Sequence, residues 1–447
     1  MSKSSEDYSH RIAALLKQPI PRLERSELEA YVRGFIGRRD SFLQLVRGHG
    51  SPLYALDKEA LISRAREFRA VFRSRFPSVT PFYAVKSNNC PEIARLLVAD
   101  GYGLDVSSGE ELQLALDSGA SAIIFSGPGK SDTELALAVN NADRVTIMLD
   151  SFGELQRLER VAGGLGRVVR TGVRVSTAES GIWRKFGTPL ETLGEFFEQA
   201  VRCRFVQLKG IQFHISWNMN PSNQVLFVMR LGQAIKSLTA QQQDAIEFLD
   251  IGGGYWPPRG EWLQPAATPE GIIGSAIGER AGSPLDHRVS RASPLDDFAR
   301  SVAQAVDDHM PAGKNITLYF EPGRWVCHEA MHILVKVVDR KAADLVITDA
   351  GTNAVGWERY ESDYFPVINL TRPSLEEREC LVAGSLCTPH DLWGYTYFGD
   401  DIQPEDVLLI PDQGAYTYSL RQHFIKPLPP VVVMTGPGRP VSNQGSR

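Results

Sequence analysis

Apolar residues recur at helical spacing over residues 4–47, with Ile12, Leu15 and Leu16 followed by Leu28, Val32 and Ile36. This predicts a helical lead-in, which Ser51-Pro52 breaks. From residue 53 to about 323, short β-branched or apolar runs alternate with amphipathic stretches. Strand-like runs fall at 81–85, 104–106, 122–125, 145–149, 171–175, 208–214, 248–251 and 316–321, with helical patterns such as 92–99 and 110–116 between them. About eight such units suffice for a (β/α)8 barrel, the α/β class. After Arg324 the rhythm becomes strand and turn, at 332–338, 345–348, 379–383, 407–410 and 431–434. A β-rich second domain, barrel or sandwich, is expected there.

The expected organisation is therefore a lead-in over 1–51 packing on the C-terminal domain, a barrel over 52–325, a β domain over 326–435 and a frayed tail over 436–447. Residues 256–294 are rich in Gly, Pro, Ser and Ala and too long for an ordinary connection, so they read as a lid or a disordered insertion. No internal repeat is visible.

Composition narrows the function. The 447 residues carry 53 acidic and 48 basic side chains, well mixed, for a net charge of −5, which leaves no basic face for nucleic acid. Small-molecule chemistry is favoured. Cys90, Cys203, Cys327, Cys380 and Cys387 lack the paired short spacings of zinc knuckles or a disulfide framework, so a reducing cytoplasm and no metal are expected. No apolar run reaches the roughly 20 residues of a bilayer span, and neither export nor membrane insertion is expected.

Six places could carry chemistry. Pro81-Phe82-Tyr83-Ala84-Val85-Lys86-Ser87-Asn88 reads as a buried strand ending on a lysine, whose desolvated amine could attack a carbonyl. Taken alone, the commoner reading is a lysine reaching for water. Leu249-Asp250-Ile251-Gly252-Gly253-Gly254 sets three glycines after an apolar strand, a phosphate cradle or simply a flexible turn. Glu321-Pro322-Gly323-Arg324 offers a carboxylate for a protonated ring nitrogen and an arginine for phosphate, or a turn with a surface ion pair. His214 ends a strand, where its ring could stack on a flat cofactor or serve structure alone. Finally, Cys387, in Gly384-Ser385-Leu386-Cys387-Thr388-Pro389-His390-Asp391, could donate a proton or be a small hydrophobe, and Gly414-Ala415-Tyr416 puts a phenol at another strand end.

In order along the chain, Ala84 to Asn88, Asp105-Val106-Ser107-Ser108, His214, Gly252 to Gly254, Glu321 to Arg324, Gly384 to Asp391 and Gly414 to Tyr416 resemble the fold-type III pyridoxal-phosphate decarboxylases. That group includes the ornithine, diaminopimelate and biosynthetic arginine decarboxylases, and the resemblance runs from about Pro52 to Leu428. It implies an alanine-racemase-like barrel with a C-terminal β domain. It further implies that Lys86 carries the cofactor as a Schiff base, His214 stacks on the ring and Glu321 holds the pyridinium nitrogen. Gly253, Gly254, Gly323, Arg324 and Tyr416 would bind the phosphate, and Asp105 and Arg174 match other pocket positions. In these enzymes an obligate homodimer brings the loop matching Cys387 into the partner's site, where it would protonate Cα after CO₂ leaves.

Departures from the family pattern shape the substrate expectation. His214-Ile215-Ser216-Trp217 stands where His-x-Gly-Ser is usual, which displaces or replaces the serine contact with phosphate. Thr388 replaces the acidic residue that binds a distal ammonium, and Trp357 replaces the arginine of diaminopimelate decarboxylases. A distal pocket of Thr388, Asp391, Trp357 and Tyr360 is expected, for an amino acid or amino-acid conjugate other than plain ornithine or lysine, as in siderophore or other specialised metabolism. The alternatives are an amino-acid racemase of the same fold and a non-catalytic regulatory homologue.

Overall fold

A computed structural model describes residues 5–17, 19–279, 282–311, 316–356 and 362–434. By contacts the chain forms two compact units, one of residues 61–258 and 293–327, the other of residues 1–60, 259–292 and 328–447.

The first unit is a closed barrel of eight strands. In order around it run Thr317–Phe320, Val79–Ala84, Gly103–Val106, Ile123–Phe125, Val145–Leu149, Val169–Arg174, Val206–Gln212 and Phe248–Asp250. Every pairing is parallel, and Leu318↔Val79 with Thr317↔Phe248 closes the ring. Phe82, Ile124, Met148 and Phe248 pack inside with Tyr319, so the bore is a filled core. The helices between the strands start where short polar side chains can take an orphan amide: Ser108 accepts from Glu111, Ser151 from Glu154, and Ser131 closes a capping box with Glu134. Helix Leu295–His309 shows why they lie on the barrel, since Leu295, Phe298, Ala299, Val302 and Ala305 recur on one face and are buried.

The second unit is built on an eight-stranded sheet. Its order is Leu345–Thr348, Glu377–Ala383, Leu392–Phe398, Ile368–Asn369, Val407–Ile410, Met331–Ala342, Leu53–Leu56 and Val431–Val433, with Leu345–Thr348 also pairing Met331–Ala342. Helices Arg25–Ile36 and Arg39–His49 bury Leu28, Val32, Phe35 and Phe42 against Leu334, Ile368 and Leu409 of this sheet.

Two boundaries differ from the sequence expectation. Leu53–Leu56 falls inside the 52–325 span expected for the barrel. It pairs instead with Met331–Leu334 and Val431–Val433, because its four buried residues need neighbours on both edges. The stretch 256–294, expected within 52–325 as a lid or disordered insertion, holds a strand pair, Glu261–Leu263 with Arg288–Ser290, and the helix Pro269–Ala276. Trp262 and Val289 carry this stretch into the core that holds Phe35 and Tyr364, so burial assigns it to the β-rich unit. The tail 436–447 lies outside the described residues. Among the described residues, no helix is long and apolar enough to cross a membrane.

Candidate active site

The barrel gathers its chemistry where the strands end. Val79–Ala84 stops at Ala84, short of the strand end expected at Lys86, and a single 3-10 turn, Val85–Ser87, carries the lysine. Ser87 Oγ donates to Ala84 O at 2.7 Å and Asn88 N to Val85 O at 3.0 Å, which fixes the turn. The amine is less dry than the pattern suggested, for the Lys86 side chain is 34% exposed. Lys86 Nζ donates to Asp105 Oδ2 at 2.7 Å and lies 3.8 Å from Glu321 Oε2.

Beneath it the floor is acidic and buried. Asp105, on the neighbouring strand, also accepts from Ser126 Oγ at 2.7 Å. Glu321 follows Thr317–Phe320 directly; its Oε1 accepts from Gln212 Nε2 at 2.5 Å, and its Oε2 lies 3.4 Å from His214 Nδ1. Burial would push Glu321 up, but Lys86, His214 and Asp250 outweigh it and hold this carboxyl well below the usual range. Burial and the repulsion of Glu321 push Asp105 up to about 6, and burial with the same repulsion raises Asp250 much further. Burial lowers His214 while Glu321 opposes the change, and its Nδ1 lies 3.2 Å from Gly253 N.

The glycine triplet follows Phe248–Asp250 with φ of +74° at Gly252 and +85° at Gly254. A Cβ at Gly253 would stand 2.2 Å from Glu321 O, and one at Gly254 2.3 Å from Ile215 O, so no other residue fits this cradle. At Gly323, a Cβ would come within 2.8 Å of Ser87 Oγ, which brings the Glu321 loop against the Lys86 turn. Arg324 stacks its guanidinium 4.0 Å from the Trp256 ring centroid, and Arg174 lies 4.7 Å from that of Phe186.

The β-rich unit carries the remaining expected residues. Cys387 is an exposed free thiol and Thr388 is half-buried. Asp391, expected to line a distal pocket, is buried. Its Oδ1 accepts from Thr352 N at 2.6 Å and Oγ1 at 3.1 Å, while Oδ2 accepts from Leu386 N at 2.6 Å. Both oxygens staple the loop of Cys387 to the Thr352 turn, a structural task that the sequence motif does not reveal. Tyr416 is half-buried with φ of +56°, just after Gly414, whose N–H reaches His328 O at 3.0 Å. Trp357 and Tyr360 lie outside the described residues. Sequence reasoning missed Gln212 and Asp250, although a polar residue closing an otherwise apolar strand was the available signal.

These groups fit a phosphorylated pyridine aldehyde: an amine for the aldehyde, a carboxylate kept ionised for the ring nitrogen, and a turn without side chains for the phosphate. A model of the pyridoxal-dependent decarboxylase, pyridoxal binding domain family matches residues 60–328, and the chain belongs to that family. It is a pyridoxal-phosphate-dependent carboxy-lyase of fold type III. Among its relatives, diaminopimelate decarboxylase of Aquifex aeolicus is 26% identical over 92% of this chain and 91% of its own. The L-glutamyl-[BtrI acyl-carrier protein] decarboxylase of Niallia circulans is also 26% identical, over 87% and 90%. The solved diaminopimelate decarboxylase of Helicobacter pylori, complexed with L-lysine, superposes with a TM-score of 0.69 at 26% identity, over 85% of this chain and 90% of that one.

Proposed function

We propose that this protein removes the α-carboxylate of an amino acid carried on a larger group, rather than of free ornithine or lysine. Pyridoxal phosphate, when bound, supplies the electron sink for the pair released from the Cα–carboxylate bond. Lys86 is the residue that holds the cofactor and gives way to the substrate amine. Glu321 keeps a hydrogen on the ring nitrogen, which makes the sink strong and favours decarboxylation over racemisation. His214 lies against the ring, while Gly253, Gly254, Gly323, Arg324 and Tyr416 take the phosphate. Asp105 and Arg174 complete the pocket, and the Cys387 thiol returns a proton to Cα. The shared-site homodimer of the family and a cytoplasmic location belong to the same reading.

The observation that carries it is Lys86 Nζ placed 2.7 Å from Asp105 and 3.8 Å from a Glu321 carboxyl that its surroundings keep ionised. Support for the substrate comes from Thr388, a neutral side chain where a distal ammonium would need a carboxylate, and from the carrier-bound glutamyl substrate in the Niallia circulans relative's name. A charge-assisted hydrogen bond to an ammonium contributes roughly 1.5–3 kcal/mol, which threonine does not match.

The test is CO₂ release from a panel of free diaminopimelate, lysine, ornithine and glutamate against glutamyl and other aminoacyl thioesters, with optical activity followed in parallel. Faster turnover of a thioester than of any free diamino acid is expected. Preference for free diaminopimelate or ornithine would overturn the substrate, and loss of optical activity without CO₂ would overturn the reaction.

A further inference from the structure

Asp250 sits below the site, on the strand between those that deliver His214 and Glu321, with Gln212 opposite it on one side and Tyr319 on the other. Its side chain is fully buried and makes contacts that meet nowhere else in the barrel site. Oδ1 accepts the Gly252 N–H at 2.9 Å, which ties it to the glycine cradle. Oδ2 accepts from Gln212 Nε2 at 3.1 Å, the same nitrogen that reaches Glu321 Oε1 at 2.5 Å. The two carboxyls thus share one amide nitrogen and are close enough for each to shift the other's titration. Two carboxyl groups bond each other only if one of them carries the hydrogen.

Charge counting says which. Asp105, Asp250 and Glu321 are all at most 2% exposed. The groups facing them are Lys86, the imidazole of His214, and the phenols of Tyr255 and Tyr319. One ammonium does not balance three buried carboxylates. Asp105 has Lys86 at 2.7 Å, and Glu321 has Lys86 at 3.8 Å and His214 at 3.4 Å, whereas the other partners of Asp250 are the neutral Gln212 and the Gly252 amide.

We propose that Asp250 is a positioning residue for cofactor binding: as a neutral carboxylic acid it donates to Glu321, and its other oxygen holds the glycine turn. One side chain thereby sets the spacing between the group meant for the ring nitrogen and the cradle meant for the phosphate. Glu321 Oε1 is pinned downward, leaving Oε2 toward His214 and Lys86.

The role separates Asp250→Asn from Asp250→Ala. An asparagine amide still donates to Glu321 and its carbonyl still accepts from Gly252, so only the bond that Oδ2 accepts from Gln212 is given up. The measurements are the dissociation constant of pyridoxal phosphate for the apoprotein, the position of the bound cofactor's visible band, and the melting temperature of the apoprotein. Asp250→Asn should bind the cofactor within about threefold of wild type with an unmoved band. Asp250→Ala should bind roughly ten- to hundredfold more weakly, the usual cost of losing an outer support, with the band shifted. If the alanine variant does not fold, Asp250→Ser takes its place with the same expectation. Equal damage from Asn and Ala would mean the ionised carboxylate is required and would overturn the proposal. A lowered melting temperature with unchanged affinity and band would reduce Asp250 to a structural residue and overturn it as well.

Discussion

Two lysines of the barrel unit stand in similar places and do different work. Lys86 follows the strand Val79–Ala84, and Lys130 lies in the loop after Ile123–Phe125; each meets a carboxylate, Asp105 at 2.7 Å and Glu154 at 2.8 Å. Lys130 is 1% exposed and spends all three ammonium hydrogens, on Gly127 O at 2.7 Å, Met148 O at 2.8 Å and Glu154 Oε1 at 2.8 Å. Glu154 in turn accepts from Asp150 N at 3.0 Å, so the pair laces together the loops after two neighbouring strands. Burial lowers the Lys130 pKa while Glu154 opposes the change. Lys86 keeps a third of its side chain reachable and stands over an excess of acids. An ion pair does not mark a lysine as chemical. What separates the two is whether a small molecule can reach the amine, and whether the surrounding charge is left for that molecule to balance.

The sharpest break between them is Lys86→Ala. This variant should lose the visible band of a protein-bound imine and should decarboxylate on the order of 10³-fold more slowly or worse, the scale of losing a covalent catalyst. Its fold should survive. Colourless wild-type protein after incubation with pyridoxal phosphate, or a band that persists in Lys86→Ala, would place the chemistry elsewhere.

Lys130→Ala should do the reverse. It strands the Glu154 carboxylate, 2% exposed, without its cation. Removing one member of such a pair costs roughly 3–5 kcal/mol, read as a lower denaturant midpoint in the apoprotein. The imine band of the protein that remains folded should be unchanged. Recovery of part of the loss in Lys130→Met with Glu154→Gln would confirm that the cost is the stranded charge. A bleached band in a stable Lys130→Ala protein would erase the distinction between the two lysines.

How much of this was legible depends on the range over which each signal acts. The barrel strand Val145–Leu149 has the bounds its sequence predicts, because a short β-branched run buried on both faces needs no knowledge of its partners. Leu392–Phe398 escaped notice: Gly394 interrupts it, and its pattern becomes a strand only beside Glu377–Ala383. Ile368–Asn369, two residues long, has no periodicity to read. At the site, Lys86, Glu321 and the glycines are visible through residue type and position. Asp250 and Gln212 matter only through a contact between neighbouring strands, and Arg324 meets Trp256 across 68 positions of sequence. The staple made by Asp391 is likewise tertiary, since Thr352 lies 39 residues away.

The finest difference between the two lysines lies in their carboxylates and shows as a pH dependence. Burial, then the repulsion of Glu321, raises Asp105 from an ordinary 3.8 to about 6 in the folded apoprotein, despite Lys86 beside it. A carboxyl raised by folding adds stability while it is protonated. That contribution is complete below pH 3.8 and disappears as pH rises through about 6. At about 1.4 kcal/mol per unit, this group should cost the apoprotein on the order of 1–3 kcal/mol between pH 4 and 7. Asp105→Asn cannot ionise, so its unfolding free energy should fall less over the same interval, and the difference between the two should move in the variant's favour as pH rises. Denaturant titrations of both apoproteins at several pH values measure that gap. Parallel curves would mean that Asp105 stays ionised beside Lys86 throughout. The acid excess would then rest on Asp250 alone, and the two lysine–carboxylate pairs would be electrostatically alike, leaving access as the one property that sets Lys86 apart.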